Sequence, residues 1–202
     1  MPHRRCFLQL TILPAILLGV CSVLAGQETP SPNQNTQPAP APRWHFGSEI
    51  DTLPYILGGY YGSLFVGHND WRWRAVAARS DVPSFLVPSG FEKKRSDAYA
   101  LITDHFFGSR RRHEEGFWIG GGGEFWRRRI RPENVTNFTY YNNFALTAGG
   151  GYVWKLSQHV YLNPWGDAHA VAAGNTNINV SGKTYKEPRI TPEASLKLGF
   201  VF

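Results

Sequence analysis

The chain has 202 residues, which is long for one domain and short for two. Charged residues make up only 18% of it and aromatic residues 14%, a composition that excludes a disordered chain and a coiled coil. The formal net charge of +6 is too small and too dispersed to indicate binding to nucleic acid.

The first 25 residues have the pattern of a secretory signal peptide. Residues 3–5 carry positive charge, residues 7–20 form an apolar stretch, and residues 23–25 form a small-residue cleavage pattern. Both cysteines lie within this segment, so we expect a mature chain without disulfides. A lipoprotein acylated at Cys21 is the less favoured alternative, because the residue before this cysteine is not small.

Residues 26–42 read as a flexible, proline-rich leader. The segment has five prolines and no aromatic or β-branched apolar residue. Such a segment cannot bury enough surface to offset the entropy lost on ordering, so we expect a mobile spacer. The folded domain is then expected to cover residues 43–202.

From residue 44 onward apolar and polar residues alternate with a period of two, which indicates strands with one apolar face. The clearest of these predicted strands cover residues 144–154, 160–172 and 194–202, and weaker ones cover residues 44–51, 55–67, 71–81, 97–107 and 116–131. The clear strands exceed the roughly five or six residues common in soluble sheets and match the about 9 to 11 that a tilted strand needs to cross a bilayer.

The connections between these eight strands alternate between short and long. Short turns are predicted at residues 68–70, 108–115 and 156–158, and long loops at 82–96, 132–140 and 174–190. This asymmetry is typical of outer-membrane barrels, whose short turns face the periplasm. We therefore predict an all-β, eight-stranded antiparallel up-and-down transmembrane barrel. Its first and last strands should pair, because an open edge would leave backbone groups unpaired in hydrocarbon.

Aromatic residues cluster where the two membrane interfaces would lie, as amphipathic rings prefer the headgroup level. The girdle expected near the short turns comprises Trp44, Trp71, Trp73, Phe106, Phe107, Phe117, Trp118, Tyr152, Trp154, Tyr161, Phe200 and Phe202. The opposite girdle is expected to comprise Tyr55, Phe125, Trp126, Tyr140 and Tyr141.

The chain ends in Leu198-Gly199-Phe200-Val201-Phe202, an aromatic terminus preceded by apolar residues at alternate positions. This ending resembles the terminal strand of small, eight-stranded bacterial outer-membrane β-barrel proteins. The resemblance implies recognition by the barrel assembly machinery through Phe202 and a location in the bacterial outer membrane, in contact with its lipid. A soluble lipocalin-like barrel is the rival fold if the three Asn-X-Ser/Thr sequences of this chain are glycosylated in a eukaryotic secreted protein.

Strand parity predicts a polar lumen. The residues expected to face inward are His45, Glu49, Asp51, Arg72, Arg74, Glu124, Arg128, Asn143, Asp167, His169, Glu193, Ser195 and Lys197. Eight strands enclose a space just wide enough for side chains to fill. Because intramembrane charges are tolerated mainly when paired, we expect a filled, salt-bridged lumen. A small polar-ligand site or a narrow ion path is the alternative.

The sequence gives little support for catalysis, metal binding or a cofactor. Ser195, His169 and Asp167 can be drawn as a Ser/His/acid set, but Ser195 lacks a nucleophile elbow. The seven histidines show no metal-ligand spacing, so no metal or cofactor is expected. The predicted function is a non-enzymatic structural or surface-interaction protein. A narrow channel or carrier for small polar solutes is the alternative, and a lipid-modifying enzyme is less favoured.

A basic cluster lies at the outer end of the fifth predicted strand. It consists of Arg127, Arg129 and Arg131. Guanidinium groups bind phosphate through two parallel hydrogen bonds, so this cluster predicts contact with lipopolysaccharide phosphates.

Overall fold

A computed structural model describes residues 44–83, 87–111 and 114–202. The predicted signal peptide (residues 1–25) and leader (residues 26–42) lie outside the described residues. The described chain is built almost entirely of strands, with one short helix, α1 (Thr52–Ile56), after the first of them. None of its helical segments has the length and apolar character to cross a bilayer.

The described strands are four to 17 residues long. Their bounds are β1 (Trp44–Asp51), β2 (Tyr60–His68), β3 (Trp71–Val82), β4 (Phe91–Phe106), β5 (Gly116–Pro132), β6 (Thr139–Lys155), β7 (Val160–Gly174), β8 (Asn177–Val180), β9 (Lys183–Lys186) and β10 (Ile190–Val201).

Eight of these strands close into a barrel in the order β1-β10-β7-β6-β5-β4-β3-β2, and every pair is antiparallel. The ring closes where β1 pairs with β10, from Gly47 opposite Val201 to Asp51 opposite Lys197. The remaining two, β8 and β9, form a separate hairpin between β7 and β10. The fold confirms the predicted all-β, eight-stranded antiparallel up-and-down barrel.

The two ends of the barrel differ. One end, here called the turn end, carries the start of β1, the end of β10 and the connections at residues 69–70, 107–115 and 156–159. The other, the loop end, carries α1, the connections at residues 83–90 and 133–138, and the β8–β9 hairpin. Strands β4, β5 and β6 continue further into the loops than predicted, so the loops are shorter than expected.

The outer face of the barrel is apolar and the inner face is polar. Leu64 and Leu101 on the outside are 67% and 71% exposed, whereas Glu49 and Arg72 on the inside are completely buried. A soluble lipocalin-like barrel would show the reverse arrangement. An apolar exterior around a charged interior is the arrangement that a barrel surrounded by lipid requires.

The turn end carries an exposed ring of aromatic side chains, but three members of the predicted girdle are wrong. The exposed ones are Trp44, Trp71, Trp73, Phe107, Phe117, Tyr152, Trp154, Phe200 and Phe202. Phe106, Trp118 and Tyr161 instead point into the lumen and are almost fully buried. Adjacent residues of a strand face opposite sides, so only one residue of a pair such as Phe117-Trp118 can reach lipid.

The predicted loop-end girdle is also only partly correct. Phe125 and Tyr140 are exposed on the outer face, whereas Trp126 and Tyr141 point inward. Tyr55 lies in α1 and its hydroxyl donates to the Tyr61 carbonyl. The same alternation of faces therefore corrects both girdles.

The second predicted strand begins too early, because α1 occupies its first residues. The Asp51 carboxylate accepts a hydrogen bond of 3.0 Å from the Leu53 amide and so caps the helix. Backbone N–H groups in the first turn of a helix have no partner within the helix. Pro54 lies in the first turn of α1 and has no N–H, so it leaves none unpaired there. The chain therefore turns before β2 starts at Tyr60.

Two glycines make room for aromatic rings in the narrow turn-end half of the lumen. A Cβ atom at Gly47 would overlap the ring of Phe65, and one at Gly199 would overlap the ring of Tyr161. Both rings are buried. The absence of a side chain on β1 and β10 at these positions lets the rings fill the lumen.

The closure by β10 predicts the outcome of a matched pair of proline substitutions. Leu198 lies between Ile50 and Leu162, so Leu198→Pro removes a ladder hydrogen bond whichever neighbour its N–H faces. Unheated samples on a denaturing gel should lose the compact, fast-migrating band that shifts on boiling. Asn179→Pro, in the separate β8–β9 hairpin, should keep this band. Equal behaviour of the two variants would contradict the closure.

Candidate functional site

The residues predicted to face the lumen lie on the inner face of the barrel, and they fall into separate groups along it. The turn-end half contains His45, Glu49, Arg72 and Arg74, and the middle contains Asp51, Ser195 and Lys197. The loop-end half contains Glu124, Arg128, Asn143, Asp167, His169 and Glu193.

The most deeply buried group is an ionic network, here called the inner layer, made of Glu49, Arg72, Arg74 and Asp104. Arg72 donates from Nε to Asp104 Oδ2 (2.8 Å) and from Nη1 to Glu49 Oε1 (3.1 Å). Arg74 donates from Nε and Nη2 to the two Asp104 oxygens (2.7 and 2.9 Å). Its Nη1 lies 3.5 Å from Glu49 Oε2. Two arginines thus share two carboxylates.

Strand register explains why these groups meet. Arg72 and Arg74 are two residues apart on β3 and share its inner face. Asp104 on β4 lies directly opposite Arg72. Glu49 reaches the same guanidinium groups from β1, on the far side of β2. The network therefore links four consecutive strands of the ring.

Neutral side chains add hydrogen bonds to the inner layer. The Tyr161 hydroxyl and Asn163 Nδ2 donate to Glu49 Oε1 at 2.8 and 3.0 Å. Trp118 Nε1 donates to Asn163 Oδ1 at 3.0 Å. The rings of Phe106 and Phe65 lie 5.0 and 5.3 Å from the Arg72 guanidinium carbon. The buried charges are thus paired and hydrogen-bonded, the condition under which they are tolerated away from water.

Asp51 organises the middle of the lumen. Its Oδ1 accepts from Ser195 Oγ (2.5 Å), and its Oδ2 accepts from Trp165 Nε1 (2.7 Å). The Lys197 ammonium lies 3.6 Å from the centre of the Trp165 ring. The structure therefore joins Ser195 to Asp51. His169 directs both of its ring nitrogens at other carboxylates.

The second ionic group, the His169 cluster, consists of Glu124, Asp167, His169 and Glu193. His169 Nδ1 lies 2.8 Å from Glu124 Oε2, and Nε2 lies 3.1 Å from Asp167 Oδ1 and 3.3 Å from Glu193 Oε2. Asp167 and His169 are two residues apart on β7, and Glu193 on β10 lies opposite Asp167. Three strands of the ring thus direct carboxylates at one imidazole.

The His169 cluster lines a cavity of about 80 Å³. The opposite wall of this cavity is formed by small residues of β3 and β4, among them Ala78, Ala98 and Ala100. The volume has room for on the order of five water molecules. The lumen therefore contains a small space beside the His169 cluster.

The β8–β9 hairpin packs over the loop end. Ile178, Val180 and Tyr185 form an apolar cluster with buried residues of β4, β5 and β6. Glu187, which follows the hairpin, is 4% exposed. Its carboxylate accepts from Lys94 Nζ (2.8 Å), from Arg128 and from Tyr141 Oη (2.6 Å). We call the hairpin together with Glu187 the loop-end cap.

The turn end has a smaller ion pair. His45 Nε2 lies 2.6 Å from Glu114 Oε1, and the Glu114 side chain is buried. Glu114 belongs to the turn between β4 and β5 rather than to a strand. A turn residue thus supplies the partner for a strand residue at this end.

Sequence reasoning missed three important lumen groups. Asp104 shares the inner face of β4 with Ala98, Ala100 and Ile102, so the polar alternation that marks the other strands is absent there. Glu187 and Glu114 come from connecting segments, where alternation gives no information. Asp104 is followed by His105, and neighbours on a strand face opposite sides, so one of these two polar side chains must point into the lumen. This pair was the one signal in the sequence that could have identified Asp104.

The predicted lipopolysaccharide residues lie on the outer face at the loop end. Arg127 is exposed, and Arg129 and Arg131 are partly exposed. The guanidinium carbons of Arg129 and Arg131 lie 4.9 and 5.3 Å from the centre of the Phe138 ring. Arg131 also donates to Glu92 at 2.8 Å.

Comparisons with known proteins show the fold. No protein-family model matches the chain, and no curated protein matches it in sequence. The crystal structure of the N-terminal β-barrel domain of Pseudomonas aeruginosa OprF aligns with a TM-score of 0.50 at 12% identity, covering 79% of this chain and 96% of that one. That of Neisserial surface protein A (NspA) aligns with a TM-score of 0.49 at 13% identity, covering 79% and 97%. The likeness to the OprF domain shows that the fold of this chain is a β-barrel.

The inner layer predicts a large loss of stability when one carboxylate is neutralised. Glu49→Gln leaves two buried arginines with Asp104 as their remaining carboxylate, and breaking a buried pair costs about 3–5 kcal/mol. Urea titration of the barrel in detergent, followed by tryptophan fluorescence, measures the free energy of unfolding. Glu115→Gln is the matched control, because its partner Arg110 is largely exposed, and it should cost about 0–1 kcal/mol. Equal losses would show that the inner layer adds nothing specific.

Proposed function

We propose that this chain is a bacterial outer-membrane β-barrel protein with a closed lumen and a structural or surface-interaction role. The observation that carries the proposal is the inner layer. Glu49, Arg72 and Asp104 are 0% exposed, and their side chains meet across the lumen. A solute crossing the barrel would have to separate these ion pairs.

The location in the outer membrane is supported by the two faces of the barrel. The exposed aromatic residues at the turn end match the headgroup level of a bilayer, and the outer face between the two ends is apolar. Phe202, which is 76% exposed at the turn end, fits a terminal residue that the barrel assembly machinery reads. Export to that membrane through the signal peptide remains part of this proposal.

The absence of catalysis is supported by the surroundings of Ser195. In a Ser/His/acid set, the serine hydroxyl needs the histidine within hydrogen-bonding distance as its base. The Ser195 hydroxyl donates to Asp51, and the His169 nitrogens face Glu124, Asp167 and Glu193. The Ser/His/acid set that a lipid-modifying enzyme would need is therefore divided, because Ser195 belongs to the Asp51 group and His169 to the His169 cluster.

The proposal predicts that the purified protein does not conduct ions in a planar lipid bilayer. The intact chain should give no discrete openings, because the inner layer closes the lumen. A variant whose residues 175–189 are replaced by a short Gly-Ser linker should also remain silent, since this change removes the loop-end cap and leaves the inner layer. Openings by the intact chain would favour the narrow channel or carrier. Openings by the variant but not by the intact chain would mean that the loop-end cap, and not the inner layer, blocks the flow of ions.

A second role, contact with lipopolysaccharide, is favoured by the outward-facing arginines. Arg127, Arg129 and Arg131 occupy alternate positions of β5, so all three leave the barrel on the same face. Among the described residues, no carboxylate forms an ion pair with Arg127 or Arg129, whereas Arg131 pairs with Glu92. We therefore assign the phosphate contact chiefly to Arg127 and Arg129.

This role predicts weaker binding of lipid A by an Arg127→Gln, Arg129→Gln double variant. A basic side chain near an anionic lipid surface contributes about 1 kcal/mol, so losing two should weaken binding about 30-fold. Binding of purified lipid A to the detergent-solubilised barrel measures the effect. The control is Arg110→Gln with Arg111→Gln, at the turn end, which should bind as the unchanged protein does. If the unchanged protein, the double variant and the control bound lipid A with equal affinity, Arg127 and Arg129 would not contact its phosphates.

A further inference from the structure

We propose that Asp167, His169 and Glu193 bind one divalent transition-metal ion of the zinc type on the lumen wall. His169 would bind through Nε2 and the two acidic residues through one carboxylate oxygen each. One ligand atom from each of the three residues lies within 4.8 Å of the others. The inference concerns the wall of the cavity and holds whether or not the lumen is closed.

The distances match a tetrahedral site. Zinc bonds of about 2.0–2.2 Å to nitrogen and oxygen place neighbouring ligand atoms about 3.3 Å apart. Nε2 of His169 lies 3.1 Å from Asp167 Oδ1 and 3.3 Å from Glu193 Oε2. Both acidic groups therefore lie at ligand spacing from His169, and strand pairing places Glu193 opposite Asp167.

The ligand atoms are close but do not satisfy one another. His169 Nε2 and Asp167 Oδ1 are 3.1 Å apart and shielded from solvent, but neither atom makes a well-aligned hydrogen bond. The His169 side chain is 93% buried, with 7% of its surface exposed. Buried polar atoms are almost always hydrogen-bonded, so two buried atoms at this spacing without one fit a common partner between them. A cation between them supplies that partner.

The groups around the site orient the proposed ligands. Glu124 Oε2 lies 2.8 Å from His169 Nδ1, and it also accepts from Trp126 Nε1 at 2.7 Å. With the Nδ1 proton donated to Glu124, the Nε2 lone pair is free to bind metal. Such a carboxylate–histidine pair is the usual support of a metal-bound imidazole. Thr147 Oγ1 donates to Asp167 Oδ2 at 3.1 Å and leaves Oδ1 for the ion.

The ligand set selects the class of ion. One imidazole and two carboxylates suit zinc and its neighbours, whereas calcium and magnesium prefer oxygen ligands alone. The two carboxylate ligands balance the charge of a divalent ion. The cavity beside the site leaves space for a water as the fourth ligand.

The ion also has a route to the site. The Glu193 side chain is 32% exposed and that of Asp167 is 13% exposed. The sequence gives no spacing motif because the ligands lie on two strands that are distant in sequence. Asp167 and His169 alone form an i, i+2 pair, which is common on strands that bind nothing.

Metal binding by the untagged chain, folded in detergent, tests the proposal. We expect one equivalent of Zn²⁺ by calorimetry, and one of Co²⁺ with the intense visible absorption of a four-coordinate site. His169→Gln and Glu193→Gln should abolish both signals, and their controls His159→Gln and Glu92→Gln should retain them. Glu124→Gln should keep the Co²⁺ spectrum but weaken the affinity about 10–100-fold, as expected for a positioning residue.

The outcomes separate the proposed site from its alternative, a protonated imidazolium held by three carboxylates. Failure of the unchanged chain to bind Zn²⁺ overturns the metal site and supports the imidazolium. Binding that survives both His169→Gln and Glu193→Gln overturns it as well, since the ion then lies elsewhere. If His169→Gln does not fold, Glu193→Gln decides, because this partly exposed residue can lose its charge without leaving a buried cation unpaired.

Discussion

The structure depends on one constraint, that each strand residue must face either lipid or lumen. Backbone groups satisfy one another around the closed ring, so the β1–β10 pair removes the last free edge. Every strand side chain then lies either in the lipid outside the barrel or in the lumen inside it. A charge on the outer face would meet hydrocarbon over most of the barrel height, and the chain therefore places its charges inside the barrel or at its two ends.

Placing charges inside creates the second requirement, that they pair with one another. The inner layer meets it with two arginines between two carboxylates, and Tyr161 and Asn163 add hydrogen bonds to Glu49 Oε1. The His169 cluster differs, because three carboxylates surround a single imidazole, and neither His169 Nε2 nor Asp167 Oδ1 makes a well-aligned hydrogen bond. The two groups therefore differ in charge balance within one lumen, with equal numbers of arginines and carboxylates in the inner layer and an excess of carboxylates around His169.

The two ends of the barrel use connecting segments for the same purpose. At the loop end Glu187 enters between Lys94, Arg128 and Tyr141, and at the turn end Glu114 pairs with His45. A strand residue near a rim has fewer partners across the ring, so a carboxylate from a loop completes its pairing. The connections are thus part of the lumen, and a change in loop sequence acts on the interior of the barrel.

The sequence by itself determined the number of barrel strands, their antiparallel order and the face of residues such as Glu49, Arg72 and Lys197, because a period of two is a local property of the chain. It also indicated which rim holds the short turns. The pairing of Asp104 with two arginines, the entry of Glu187 and the meeting of Asp167 with Glu193 were decided only by the tertiary structure. Each depends on the register between strands or on the path of a loop, and register is set by contacts between segments far apart in the chain.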